Sequence, residues 1–172
     1  CKGFFEPEGI ETEYLPMDAD DEACFAVVKK YQPVGMISIE RCGKNTENDY
    51  ANMRGISIRE HTAPVDRIFE LFGPDAEEDG KRIPTIGVGD GGNEIGMGNF
   101  ADVIEKELSL VPCKVRTDLL VTASVSNWGA YGIAAALQLL TGRKIYTEID
   151  GEPVDRKTME FIEKTVEIGS VD

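Results

Sequence analysis

The sequence predicts an α/β fold, an open and mostly parallel sheet with helices on both faces, and three observations carry that expectation. Apolar runs of strand length, Val34–Ile39, Pro84–Val88 and Leu119–Ser124, are separated by stretches whose apolar residues recur at helical spacing. The runs are continuous rather than alternating, which suits strands covered on both sides. The length, 172 residues, is that of one ordinary domain with a core of its own, so residues 1–172 read as a single domain.

Each element has a local reason. Glu13–Met17 is a short extended run closing on Asp18, and Ala19–Tyr31 carries the stripe Cys24, Phe25, Val27, Val28 of an amphipathic helix that Asp18 or Asp20 can cap. After Pro33 a strand ends at Glu40. Arg41–Thr62 is polar and without period, a long connection of the kind that is often functional. Pro64 opens a second helix through Phe69 and Phe72, stopped at Gly73-Pro74, and Asp75–Lys81 is a charged surface turn. A strand at Pro84–Val88 leads into the loop Gly89–Gly98. Asn99 then caps a third helix with Phe100, Val103, Ile104 and Leu108 on one face. Beyond the strand at Leu119, Ser126 or Asn127 caps a fourth helix that runs to Gly142. Lys144–Ile149 reads as extended and Arg156–Val166 as helical.

Composition narrows the function. No run of about 18 apolar residues exists, so no membrane span is expected, and the opening stretch has Glu and Pro where a signal peptide needs basic and then apolar residues. A formal net charge of -14 repels phosphate backbones and anionic lipid, which argues against nucleic acid and membrane partners. Cys1, Cys24, Cys42 and Cys113 are widely spaced with no CxxC pair, and His61 is the only histidine. Zinc clusters and thioredoxin-like chemistry are thereby excluded, reduced structural thiols in a cytoplasmic compartment are the expectation, and a Ser/His/Asp triad would have to use His61 in a stretch without a nucleophile motif.

The chemistry concentrates where strands end. In an open parallel sheet ligands bind outside the strand C-termini, and Asp18, Glu40 and Asp90 each stand at or just past one, with Glu94 in the same loop as Asp90. Carboxylates gathered there repel one another unless a hard divalent cation or a raised pKa neutralises them. The loop Gly87–Gly98 formally contains GxGxxG, yet Gly96 and Gly98 would weaken the helix such a site needs and Asp90 would face the phosphates. Its glycines read instead as backbone brought close to a ligand or ion, Gly91 and Gly92 among them, with oxygens of Asp90, Asn93 and Glu94 aimed at it. Ser126 and Asn127 open a helix whose free N–H groups suit an anion, and Arg54, in Asn52-Met-Arg-Gly55, can clamp a carboxylate.

Ser38-Ile-Glu-Arg41, Asn52-Met-Arg-Gly55, Ile86–Gly98 and Val125-Ser-Asn-Trp-Gly129 together resemble the family that forms the C-terminal part of D-glutamate cyclase. The resemblance spans nearly the whole chain. It implies a Rossmann-like α/β domain that converts D-glutamate to 5-oxo-D-proline with loss of water, in the mitochondrial matrix if the source is an animal. It also implies an earlier strand and helix with further polar site residues, to which nothing here corresponds. The expected fold therefore lacks its first βα segment, as a fragment opening on Cys1 would, and a homo-oligomer or a complementing N-terminal segment is the expected partner. The resulting expectation is a small acidic substrate and a divalent cation, Mn²⁺ or Mg²⁺, held by Asp90, Glu94 and Glu40, which also serve as the catalytic groups. Asn52, Arg54, Gly91, Gly92, Asn93, Ser126 and Asn127 bind the substrate. Two rivals stand beside it: a manganese-dependent phosphatase of the same fold, and a non-catalytic binding module.

Overall fold

The computed structural model describes residues 11–77, 82–149 and 151–167. Leu15–Ala130 form one compact unit, and the described residues outside it belong to a second.

In the first unit Asp20 caps α1 (Asp21–Tyr31), its Oδ1 accepting from Ala23 N at 3.0 Å, while Lys29 and Lys30 sit favourably in the last turn. Of the two carboxylates expected to cap it, Asp20 does so. The preceding run Glu13–Met17 forms no strand. β1 (Met36–Ile39) begins two residues later than the apolar run, with Val34 left exposed. α2 (Asp66–Phe72) packs on α1 through the edge-to-face pair Phe25–Phe72, ring centroids 5.2 Å apart. The charged turn expected after it, Asp75–Lys81, lies partly outside the described residues.

β2 (Thr85–Gly89) lies between β1 and β3 (Leu119–Thr122), parallel to both, with Ile37 beside Ile86 and Ile86 beside Leu119. This is the expected open α/β sheet, and helices flank both faces. Met36 and Leu120 turn toward a core of Phe69, Ile95, Met97, Ile104, Cys113 and Val115. On the opposite face Gly129 of α4 (Ser126–Thr141) rests on Val88 and Val121. That second face is only partly covered: Ile37, Ile39 and Leu119 remain 46%, 46% and 62% exposed.

The third helix departs most from expectation. Met97–Phe100 is a 3₁₀ turn, α3 (Ala101–Val103) a single α turn, and Ile104–Leu108 a π turn. Only Ile104 of the expected apolar face is buried; Phe100, Val103 and Leu108 are exposed. Asn99 does not cap this stretch. Its side chain exchanges two hydrogen bonds with the backbone of Thr117.

α4 ends at Gly142, whose φ of +69° and N–H to Gln138 O form a left-handed cap. In the second unit Gln138 Oε1 accepts from the amides of Ile145, Tyr146 and Thr147, so the expected extended run is strand only at β4 (Glu148–Ile149). β4 pairs antiparallel with β5 (Glu152–Pro153), which leads into α5 (Val154–Glu167).

Candidate active site

The site grows out of the C-terminal end of β2. From Gly89 the chain turns through Asp90, Gly91 and Gly92 and comes back as Glu94-Ile95-Gly96-Met97, with Ile95 and Met97 driven into the core. Burial of those two side chains, about 2 kcal/mol each, anchors the return limb. Glu94 is 2% exposed, and its carboxylate accepts three hydrogen bonds from the loop: Asp90 N at 3.1 Å and Gly91 N at 2.7 Å on Oε1, Gly92 N at 2.8 Å on Oε2.

The glycines have a packing reason within the chain itself. A Cβ on Gly87 would stand 2.5 Å from Ile95 O, one on Gly89 3.0 Å from Glu94 Cδ, one on Gly92 2.9 Å from Ile104 Cγ2, and one on Gly98 2.5 Å from Lys114 O. What approaches these positions is the protein's own backbone and side chains. These positions admit the loop's own return limb and the segment behind it, while Gly91 and Gly92 also lie in the wall of a small cavity.

Asp90 is fastened as well. Its Oδ2 accepts from Ser126 N at 2.9 Å and from Ser126 Oγ at 3.3 Å, so its carboxylate caps α4 and sits in the positive end of that helix. The helix terminus expected to hold a substrate anion thus already holds Asp90. Ser126 is fully buried and Asn127 beside it is exposed. Glu40 follows β1 with a left-handed backbone, φ +56°, and its N–H donates to Val88 O. A non-glycine residue in that region is strained, and such strain gathers at functional positions. Glu40, Asp90 and Glu94 bring carboxylate oxygens within 4.8 Å of one another. Asp18, expected to join them, is exposed and stands outside this group. On either side of Glu40, Ser38 Oγ and Arg41 Nε are buried without a hydrogen-bond partner.

The long connection Arg41–Thr62 is built around buried polar anchors that the sequence did not reveal. Asp66, fully buried, accepts from Tyr50 Oη at 2.7 Å and from Lys44 N at 3.0 Å. Burial first, and then Asp66 beside it, raise the Tyr50 phenol far above its ordinary pKa. Asn45 Oδ1 takes the amides of Glu47 and Asp49, and Arg41 Nη2 donates to Ala63 O. The only advance signal was the residue types themselves, an Asp opening a helix and a Tyr in a polar run.

The tip of this connection lies against the glycine loop. Asn93 Nδ2 donates to Ala51 O at 2.9 Å, and Met53 Cγ is 3.2 Å from where a Gly91 Cβ would be. Asn52 closes the tip, its Oδ1 accepting from Arg54 N and Ile56 N, and the Arg54 side chain is exposed and unpaired among the described residues. A small cavity of about 60 Å³ lies here, with Asn52, Met53, Gly91, Gly92 and Asn93 in its wall. A larger one of about 420 Å³ opens between α1 and α2, but its cations are paired within it, Arg67 to Asp21 and Glu70 and Arg116 to Asp75. Glu40, Asp90 and Glu94 line neither cavity, and the smaller one lies beside them through Gly91, Gly92 and Asn93 of the same loop. His61 is exposed on a 3₁₀ turn, Arg59–His61, and stands apart from the acidic group. Burial holds the Cys42 thiol above its usual range and pushes that of Cys113 up to about 12, so neither is an activated nucleophile.

A parallel sheet flanked by helices, with three carboxylates gathered by the C-terminal ends of β1 and β2, defines a Rossmann-like α/β domain whose acidic group has the spacing to hold a metal ion. The chain belongs to the family described as D-glutamate cyclase-like, C-terminal, whose profile matches residues 6–172. It is similar to the human protein named D-glutamate cyclase, mitochondrial, with 34% identity over 119 residues. That match covers 66% of this chain and 18% of the human protein, so the chain spans less than a fifth of that relative. Among the described residues no helix is long and apolar enough to cross a membrane.

Proposed function

We propose that this chain carries the cyclising site of a D-glutamate cyclase-like lyase, and the observation that carries the reading is the convergence of Glu40, Asp90 and Glu94 in a chain of this family. In the reaction the substrate amine attacks its own γ-carboxyl carbon. A C–N bond forms, a C–O bond breaks, and two protons of the ammonium group leave with one carboxyl oxygen as water. The product is 5-oxo-D-proline.

The donor set fits a hard divalent cation such as Mn²⁺ or Mg²⁺, because it is all oxygen and has neither nitrogen nor sulfur ligands. Glu40, Asp90 and Glu94 would hold it. Bound there, it would make the γ-carboxyl group electrophilic. In this reading Glu40, exposed just past β1, takes a proton from the substrate ammonium and returns it to the leaving oxygen. Arg54, unpaired on a tip that touches the glycine loop, is the anchor for the α-carboxylate, with Asn127 as a second polar contact. Against a phosphate ester stands the loop itself, whose amides at Asp90, Gly91 and Gly92 are all taken by Glu94.

The test is incubation of the full-length protein with D-glutamate and, separately, a phosphatase substrate, each with Mn²⁺ and with chelator. The expected outcome is metal-dependent 5-oxoproline with little phosphate release. Asp90→Asn should lose activity and about 1 kcal/mol of stability, since an amide oxygen still caps α4 but the charge at the helix terminus is gone. Phosphate release without 5-oxoproline would overturn the cyclase reading.

A further inference from the structure

We infer that Glu94 is the positioning residue of this site: its carboxylate is the resident anion of a backbone nest and holds Asp90 in place by filling it. Three successive amides that point into one concavity are the arrangement with which glycine loops bind phosphate. Here the amides are those of Asp90, Gly91 and Gly92, and the anion they surround is part of the chain.

The space around it is shaped for that carboxylate. A Cβ on Gly89 would meet Glu94 Cβ and Cδ at 3.0 Å, and one on Gly91 would meet Oε1 at 3.2 Å, while Gly92 reaches its orientation only with φ at +102°. The backbone from which Glu94 projects is itself fixed. Cys42 and Glu94 form a bridge, Ile95 N donates to Arg41 O, and Met97 N donates to Glu94 O. Asp90 is then held at both ends, its N–H by Glu94 and its carboxylate by Ser126.

Two consequences follow for the substrate. The loop offers an incoming anion no free amide at positions 90 to 92, so what it presents to a ligand is carboxylate, that of Asp90 and Glu40 together with Glu94 Oε2, which takes only one of the three amides. That surface takes a cationic partner, a divalent cation or the substrate's ammonium group, and the anionic end of the substrate must be bound elsewhere. This second consequence rests on the proposed function; the nest itself does not.

The experiment replaces the carboxylate from solution. Full-length Glu94→Ala and Glu94→Gln are melted in sodium formate and in sodium chloride at matched ionic strength. Glu94→Ala should melt roughly 10 °C below wild type, because three buried amides lose their acceptor. Formate should raise its Tm saturably where chloride does not, wild type should not distinguish the two salts, and Glu94→Gln should fall between. If Glu94→Ala does not fold in chloride, its refolding yield in formate against chloride reads the same point. In protein that forms 5-oxoproline, formate should restore kcat of Glu94→Ala with KM unchanged, a split that a global loss of stability would not give. Equal effects of formate and chloride, a Glu94→Gln variant as stable as wild type, or rescue of Tm without rescue of kcat would each overturn the inference. Wild type that melts as expected but never forms 5-oxoproline would overturn the proposed function and leave the nest standing.

Discussion

Two loops meet at the site, and they are held by opposite means. The glycine loop, Gly87–Gly98, carries six glycines, yet its glycines are packed against the chain's own atoms and its side chains at 95 and 97 are in the core. The connection Arg41–Thr62 has only Gly43 and Gly55, yet its tip is open to solvent, with Met53, Arg54 and Ile56 exposed. Glycine content therefore says little about mobility. Order comes from whether backbone amides find a buried acceptor, and in the glycine loop Glu94 supplies one, while in the connection Asp66 and Asn45 secure the base and leave the tip to itself.

The comparison can be broken most forcefully at Asp66. Asp66→Ala strands a buried tyrosine hydroxyl and the Lys44 amide, and it should cost about 4 kcal/mol in urea unfolding, one to three for each group left without a partner. Tyr50→Phe removes one of the two bonds and should cost less than half as much. If Asp66→Ala unfolds at the wild-type midpoint, the base of the connection is not held as described.

The glycine loop is probed by a pair of alanines. At Gly87 the added Cβ meets backbone, Ile95 O at 2.5 Å and Gly96 Cα at 2.9 Å, so Gly87→Ala should destabilise by about 2 kcal/mol through forced displacement. Gly132, in α4, has nothing within 4 Å of its Cβ, and Gly132→Ala should stabilise by about 0.5–1 kcal/mol through helix propensity. Equal effects at the two positions would mean that the loop yields to a side chain after all.

The smallest expected effect is at the tip. Hydrogen bonds from Ser57 first, and from Arg59, hold the Asp49 carboxyl below its ordinary pKa. Because the folded pKa is depressed, the contribution is complete above the unfolded value of about 3.9 and is lost as pH falls through the folded one. An NMR titration should find Asp49 below that reference, and Arg59→Ala should move it back part of the way. Hydrogen exchange at residues 49–59 should quicken on the same acid limb while residues 90–97 stay protected.

Much of the site was legible because residue type and strand position suffice for it. Glu40 and Asp90 follow apolar runs, and a parallel sheet puts the ends of such runs on one edge, so their meeting follows from period and topology. Asp18 failed the same reasoning because Glu13–Met17 forms no strand to carry it there. The Asn99 helix failed for a related reason. Its apolar spacing was helical, but the segment found better partners at Thr117 than in a regular turn, and only Ile104 had a core to enter.

By itself the sequence determined the class of fold, the three strands and a carboxylate cap for α1, because periodicity and a cap three residues away are local and each residue carries them wherever it stands. It also determined that any metal here meets oxygen ligands, by the plain inventory of one histidine and scattered cysteines. Only the tertiary structure decided what the glycines are for, which carboxylate caps α4, and that Glu94 turns inward to the amides while Glu40 faces out. Those choices are settled by which groups share a confined space, and a buried carboxylate goes where amides without another acceptor are waiting for it.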